Sequence, residues 1–337
     1  MNKEKLAEVA SAIVASGRGI LAADESTPTM GKRLALINQE NTEENRRDFR
    51  QALFETDGME QFISGVILFE ETLEQKTEDG RRLSEILESN GVYPGIKVDK
   101  GAHPMDGSPS EKLTKGLDGL YERCLDYYKL GARFAKWRAV IKISDELPTG
   151  YAIHTNAHAL ARYAKICQEG GLVPIVEPEV LMDGEHDLNM CQHITEETLN
   201  SVFGELYAQE VALEGIILKP NMVISGLDAE KRANFDEVAD QTVSTLLRCV
   251  PAAVPGIMFL SGGQSEIDAT MHLNVMNAKY KNLPWRLSYS YGRALQASAL
   301  KAWLGEEKNI ASAQEALKLR SSLNSAACAG QYEYETV

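Results

Sequence analysis

One rhythm restricts the fold of this chain more than anything else in it. A short apolar segment is followed by a stretch of helical spacing, and the pair recurs eight times. The apolar segments are 19–24 (GILAAD), 65–70 (GVILFE), 95–99 (GIKVD), 134–140 (FAKWRAV), 173–179 (VPIVEPE), 215–219 (GIILK), 256–261 (GIMFLS) and 287–291 (LSYSY). Short aliphatic and β-branched runs bounded by turn residues read as buried strands. Between them lie helical patterns such as 156–168 and 235–249, with 295–304 after the last strand. Alternating strand and helix argues a parallel sheet. Eight such pairs argue a closed (β/α)8 TIM barrel, an α/β fold in which 1–337 is one domain. Leu6, Val9, Ala10 and Ile13 keep helical spacing ahead of the first strand, so an N-terminal helix precedes the barrel. The segment from 324 onward shows no period and reads as a short C-terminal tail over the surface. An open doubly wound sheet is the second choice. It is weakened because no G-x-G-x-x-G follows the first strand.

Charge and cysteine usage exclude several classes of partner. The 337 residues carry a net charge of −14, which makes duplex nucleic acid and anionic membranes poor partners. The longest apolar stretch, 250–260, is broken by Pro251, Pro255 and Gly256 and is too short to span a bilayer. Glu4, Lys5 and Glu8 interrupt any apolar segment of a signal peptide. The five cysteines are scattered without a C-x-x-C pair, which reads as reduced thiols in the cytoplasm.

The segment 214–222 (EGIILKPNM) draws attention to one side chain. Pro220 biases Lys219 toward extended geometry at the carboxyl end of the sixth strand. An ammonium at that depth either pairs or gives up its proton, and a neutral amine at a barrel mouth suits Schiff-base chemistry on a carbonyl. The alternative is a lysine just emerging into solvent.

Other strand ends are charged as well. Asp24 closes the first strand with Ser26 close behind, and Arg33 follows in the first loop. Lys97 and Asp99 share one face of the third strand, and Lys136 and Arg138 share one face of the fourth. Glu177 and Glu179 flank Pro178 in the fifth. If Lys136 faces Lys219, each disfavours the other's proton, and Glu177 is placed to carry protons. Asp24 is a further carboxylate for positioning or proton transfer. Any one of these charges alone fits a rim salt bridge. Ser261-Gly262-Gly263 after the seventh strand and Gly292-Arg293 after the eighth suit a phosphate. Lys97 and Arg138, joined by Arg33, make a second anion patch. Two anion patches around an amine point to a carbonyl substrate with two phosphates.

Some features carry a plainer reading. His154 and His158 are one helical turn apart, but no third metal ligand lies nearby in sequence. Trp137, Tyr289 and Tyr291 read as packing. The run 41–47 (NTEENRR) reads as a capped helix start with a solvated face, Asn41 and Glu44 being three apart.

With these residues in hand, the chain closely resembles the class I (Schiff-base-forming) fructose-1,6-bisphosphate aldolases over residues 10–330. The matching motifs are ILAADEST, NTEENRR, GVILFEETL, GIKVDKG, GLDGL, FAKWR, VPIVEPE, LKPNM, FLSGGQSE and SYGRALQASALKAW. The resemblance implies reversible cleavage of fructose 1,6-bisphosphate to dihydroxyacetone phosphate and glyceraldehyde 3-phosphate, without metal or other cofactor. It implies Lys219 as the Schiff-base lysine, Lys136 as a catalytic lysine and Glu177 as the acid/base. Glu179 is then the charged neighbour, and Asp24 the carboxylate that supports carbon–carbon cleavage. For the distal phosphate it implies Lys97, Ser26 and Thr29, with Arg138 and Arg33 as phosphate-side arginines. For the dihydroxyacetone-phosphate end it implies Ser261, Gly262, Gly263, Gly292 and Arg293. A homotetramer is the family's usual assembly. Many animal members use a terminal tyrosine in proton exchange; neither Tyr332 nor Tyr334 falls in that position. A transaldolase-like or sedoheptulose-bisphosphate lyase is an alternative, as is a scaffold with secondary catalysis.

Overall fold

The computed structural model describes residues 2–333. The strands are β1 (Gly19–Ala23), β2 (Ile63–Leu68), β3 (Tyr93–Lys97), β4 (Ala102–Met105), β5 (Ser108–Thr114), β6 (Phe134–Ile141), β7 (Val173–Val180), β8 (Ile217–Leu218), β9 (Gly256–Phe259) and β10 (Arg286–Tyr291). The helices are α1 (Lys3–Ile13), α2 (Thr27–Ala35), α3 (Glu43–Phe54), α4 (Glu70–Glu74), α5 (Leu83–Ser89) and α6 (Leu120–Lys129). They continue with α7 (Gly150–Glu169), α8 (Leu188–Ala208), α9 (Phe235–Cys249), α10 (Glu266–Lys279), α11 (Arg293–Trp303) and α12 (Ile310–Ala329). Eight strands close a parallel barrel in the order β1-β10-β9-β8-β7-β6-β3-β2, which is the expected (β/α)8 architecture.

The barrel's interior is apolar at one end and charged at the other. Ile20, Ile67, Phe134, Val173, Ile175, Ile217 and Met258 form one cluster with Leu6, Ala10 and Ile13 of α1. The spacing of those three residues puts a single apolar stripe on α1, which caps the amino-terminal end of the strands with it. Phe134 fills the space between β2 and β3 because Gly65 and Gly95 leave room; a Cβ at Gly95 would fall 2.2 Å from its ring. Outside the strands a larger apolar cluster joins the barrel to its helices. Trp137 stacks on Tyr163 of α7 with ring centroids 5.5 Å apart, as its alternation predicts. Tyr289 and Tyr291 are buried packing, and their hydroxyls donate to the carbonyls of Phe62 (2.7 Å) and Ala269 (2.9 Å).

Three expectations are corrected, and one element is new. The sixth barrel strand is only Ile217–Leu218, because Leu213–Gly215 turn as a 3-10 helix beneath it. The N–H of Lys219 still donates to the Val176 carbonyl at 2.8 Å, so pairing continues one residue past the strand. The chain after 324 is not loose: α12 runs to Ala329, with Asn324 and Ala327 buried. Its period is hidden because polar residues occupy inward positions; Thr270 donates to Asn324 at 3.0 Å, and Arg320 to Thr270 at 2.6 Å. Tyr332 is docked on α10 through Asn274, and Tyr334 lies outside the described residues. At 41–47 the cap is Thr42, whose hydroxyl accepts from the Asn45 N–H at 3.1 Å. Glu43 and Glu44 are exposed as expected, but the arginine side is not solvated: Arg46 and Arg50 are buried, and Arg46 grips Glu71 with two bonds of 2.9 and 2.6 Å. Finally, β4 and β5 form an antiparallel hairpin that no apolar alternation announces, turning at Asp106-Gly107 with Gly107 at φ +84°. Glu111 of that hairpin is buried and accepts from the N–H (2.8 Å) and hydroxyl (2.6 Å) of Thr149 at the start of α7.

Candidate active site

Parallel strands deliver all their carboxyl ends to one face, so the charges at those ends meet there. They line a cavity of about 790 Å³ whose wall holds Asp24, Ser26, Thr29, Arg33, Lys97, Lys136, Arg138, Glu177, Glu179, Lys219, Ser261, Gly262, Gly263, Gly292 and Arg293. All fifteen residues singled out from sequence therefore face one space. Register explains the depth of the charges. β6 pairs with β7 so that Arg138 lies opposite Glu177, and Lys136 lies opposite Lys97 of β3.

At the floor are two lysines and two carboxylates. Lys219 Nζ is 3.1 Å from Glu177 Oε1, and Lys136 Nζ is 3.3 Å from Glu177 Oε2 and 2.7 Å from Asp24 Oδ2. Lys219, Lys136 and Glu177 are all buried. Burial alone would raise the Asp24 carboxyl, but Lys136, Lys219 and Lys97 together hold it well below the usual carboxylate range. Burial likewise opposes ionisation of Glu177, and Lys136, Lys219 and Arg138 outweigh it to lower that carboxyl. The Lys136 ammonium, which burial would weaken, is strengthened instead by Asp24, Glu177 and Asp99. The expected lysine-to-lysine confrontation is thus replaced by a carboxylate shared between the two. Glu177 stands within hydrogen-bond reach of Lys219 Nζ, a position from which a carboxylate can exchange a proton with an amine.

Glu179 sits differently. Burial pushes its carboxyl up despite its ion pair with Arg138. Its Oε1 would come within 3.0 Å of a Cβ on Gly262, so it supports the turn 261–263 from below. Gly263 has φ +65° and packs on Met182, which leaves no space for a side chain. Ser26 and Thr29 open α2, their hydroxyls 3.1 Å apart, and a helix start of this kind favours an anion.

The second anion patch is corrected in one member. Arg33 was expected with Lys97 and Arg138, but its Nη2 would lie 3.7 Å from a Cβ on Gly292, next to Arg293. β1 lies between β10 and β2 in the barrel, and Arg33 of the following helix α2 turns toward the β10 side. Arg33 also pairs with Glu25, a residue sequence reasoning passed over. Glu25 is buried between Arg33, Arg50 and Gln296, whose Nε2 donates to it at 2.9 Å. Only its place inside the ILAADEST run, next to Asp24, hints at it. His154 and His158 lie outside the cavity, both turned toward Glu205 of α8 at 3.7 and 3.0 Å.

The floor cluster predicts a pH-dependent cost. Lys136→Met removes the cation between Asp24 and Glu177 and is expected to destabilise the protein at pH 7.5 by about 3–5 kcal/mol. Lowered carboxyl pKa values stabilise the fold above the unfolded pKa and lose that contribution as pH falls. The variant lacks much of the lowering, so the gap in Tm between it and the parent should narrow as pH falls from about 5 to about 3, through and below the ordinary carboxylate range. A gap of constant size across that range would refute the electrostatic account.

Residues 5–337 match the family model described as fructose-bisphosphate aldolase class-I. The chain is 54% identical over 334 residues to the probable fructose-bisphosphate aldolase class 1 of Xanthomonas axonopodis pv. citri, covering 99% of this chain and 100% of that one. It is 56% identical over 331 residues to fructose-bisphosphate aldolase B of Gallus gallus, covering 98% of this chain and 91% of that one. Among solved structures it matches fructose-bisphosphate aldolase from Plasmodium falciparum, determined in complex with TRAP and a small molecule inhibitor. That match has a TM-score of 0.97 at 51% identity and covers 99% of this chain and 96% of that one.

Proposed function

The chain belongs to the class I fructose-bisphosphate aldolases, and from that premise we propose which of its residues carry the reaction. Members of this class are metal-independent lyases, and this one reversibly cleaves fructose 1,6-bisphosphate to dihydroxyacetone phosphate and glyceraldehyde 3-phosphate through a lysine Schiff base. In our reading Lys219 is that lysine. Its Nζ adds to the substrate's C2 carbonyl, and the carbinolamine loses water to give an iminium. Glu177, 3.1 Å from Lys219, takes the proton from the amine and returns one to the departing hydroxyl. The iminium draws the electron pair of the C3–C4 bond as it breaks, the C4 hydroxyl yields its proton, and glyceraldehyde 3-phosphate leaves. Asp24, ionised beside Lys136, accepts a hydrogen bond from that hydroxyl and steers its proton. The remaining enamine gains a proton at C3 and is hydrolysed to dihydroxyacetone phosphate, which restores Lys219. Lys136 favours the ionised form of both carboxylates, so a proton taken up by Glu177 is readily given back.

For the phosphates, Ser261, Gly262, Gly263, Gly292 and Arg293 hold the C1 group, with Arg33 beside them. Lys97, Arg138, Ser26 and Thr29 hold the C6 group. The observation that carries the whole reading is a buried amine within 3.1 Å of a buried carboxylate, on the wall of a cavity ringed by arginine, lysine and glycine turns. The closed barrel supports reading 1–337 as one domain. Homotetrameric assembly follows from the family's habit. No described helix is long and apolar enough to cross a membrane. The five free cysteines, four of them buried, support a cytoplasmic setting, which recovery from an isolated membrane or secreted fraction would contradict.

One sample tests the chemistry and the assembly together. The protein is reduced with borohydride in the presence of dihydroxyacetone phosphate and a chelator, then weighed intact under native conditions and mapped by peptide. The expected result is a mass increase confined to the peptide holding Lys219, on an assembly of four chains. An adduct on another lysine would overturn the assignment, and a monomer mass would remove the tetramer.

A further inference from the structure

We propose that His272 is a positioning residue for the turn 261–263, acting through the side chain of Gln264. The inference rests on the reading of that turn as the C1-phosphate site. Ser261, Gly262 and Gly263 leave β9 and end in Gln264, whose main-chain N–H donates to the carbonyls of Ser261 (2.9 Å) and Gly262 (2.8 Å). The turn is therefore closed by Gln264, and the position of Gln264 sets its shape. The amide of Gln264 does not face solvent; the residue is 4% exposed. Its Oε1 meets Nδ1 of His272 on α10 at 2.6 Å, and its Nε2 donates to Met222 Sδ at 3.7 Å. Met222 lies three residues beyond Lys219. One side chain thus joins the phosphate turn to the segment that carries the nucleophile.

The direction of the bond follows from chemistry. A carbonyl oxygen only accepts, so the hydrogen is on Nδ1 and the amide is oriented with its nitrogen to sulfur. Burial is the main influence on the ring, opposed by Asp268 one turn earlier on α10 and aided by Arg232 ahead of α9; together they push it down to about 4. The imidazole is accordingly neutral at neutral pH, with a single N–H to give, and the edge of Phe235 from α9 packs against it at a centroid distance of 5.0 Å. A neutral ring with one fixed donor and one acceptor opposite is a clamp, not a proton carrier. Without the donor, Gln264 Oε1 is left buried and unpaired, an arrangement relieved by turning the amide and with it the end of the loop.

Five variants and one substrate test this. Fructose 1-phosphate carries only the phosphate assigned to the turn. With it, His272→Leu is expected to raise KM about five- to tenfold, as for loss of one buried hydrogen bond, while kcat stays within about twofold. His272→Asn should rescue KM, because its Nδ2 hangs from Cγ as the imidazole Nδ1 does. Gln264→Met keeps length without the acceptor and should repeat the Leu effect, and the double variant should be no worse than either single one. It also serves if His272→Leu does not fold. A fall in kcat or Tm at unchanged KM, or additive effects, or no rescue by Asn, would overturn the clamp. Arg293→Ala separates the two levels: if it raises KM and the His272 and Gln264 variants do not, the phosphate reading stands and this inference falls. If Arg293→Ala leaves KM unchanged, both fall.

Discussion

Lys219→Met is expected to lower turnover of fructose 1,6-bisphosphate by about 10⁵-fold or more while the protein still folds. Methionine has nearly the length and volume of lysine and belongs in buried positions, so the core beside β8 is filled as before. The charge is lost without stranding its partner, because Glu177 keeps Lys136 at 3.3 Å. A normal circular dichroism spectrum with no adduct on borohydride reduction would then assign the loss to the missing nucleophile. Turnover within tenfold of the parent would instead mean that another amine forms the imine. Lys136 is the next candidate in the cavity, but it is tied to Asp24 at 2.7 Å and held strongly protonated.

Glu177→Gln should reduce kcat by about 10²- to 10⁴-fold, the usual size of a general acid–base contribution, with KM little changed. Glutamine keeps the shape and, through its single carbonyl oxygen, one of the two lysine contacts, but cannot take a proton from Lys219 or return one to a leaving hydroxyl. Single-turnover formation of the imine should slow in step with kcat. Glu179→Gln is the instructive comparison. Glu179 pairs with Arg138 and props up Gly262, so its loss should appear mainly in KM. A fall in kcat of less than tenfold for Glu177→Gln would move the proton work to Asp24 or Glu179.

Much of this was readable from the chain, and what was not has physical causes. Strand and helix alternate on a scale that apolar periodicity detects, so the barrel and its order of elements are legible. The place of Lys219 on the cavity wall is legible because an apolar run, a charge and Pro220 follow one another at the carboxyl end of β8. Partners across space are another matter. Nothing near Arg46 or Arg50 in sequence announces Glu71 or Glu25, because they belong to other elements, and a charged helix face looks solvated until its partners are placed. Arg33 was assigned to the wrong side because strand order around a closed cylinder is not sequence order: β1 adjoins β10. The hairpin β4–β5 and the end of α12 escaped because their inward positions are polar or sparse. The carboxylate shared between Lys136 and Lys219 is illegible for the same reason, being a product of register.

The stripe of Leu6, Ala10 and Ile13 that seals the lower end of the strands has a kinetic meaning. A cylinder stoppered at its base has one doorway, so both fragments of a cleaved sugar must depart the way the whole sugar came. The fragment bonded to Lys219 waits at the bottom of the shaft while the free aldehyde exits above it. Sequential departure follows from the covalent bond, and the closed base gives both halves the same exit: the unbound half goes first, and the tethered half follows only after water has descended to release it.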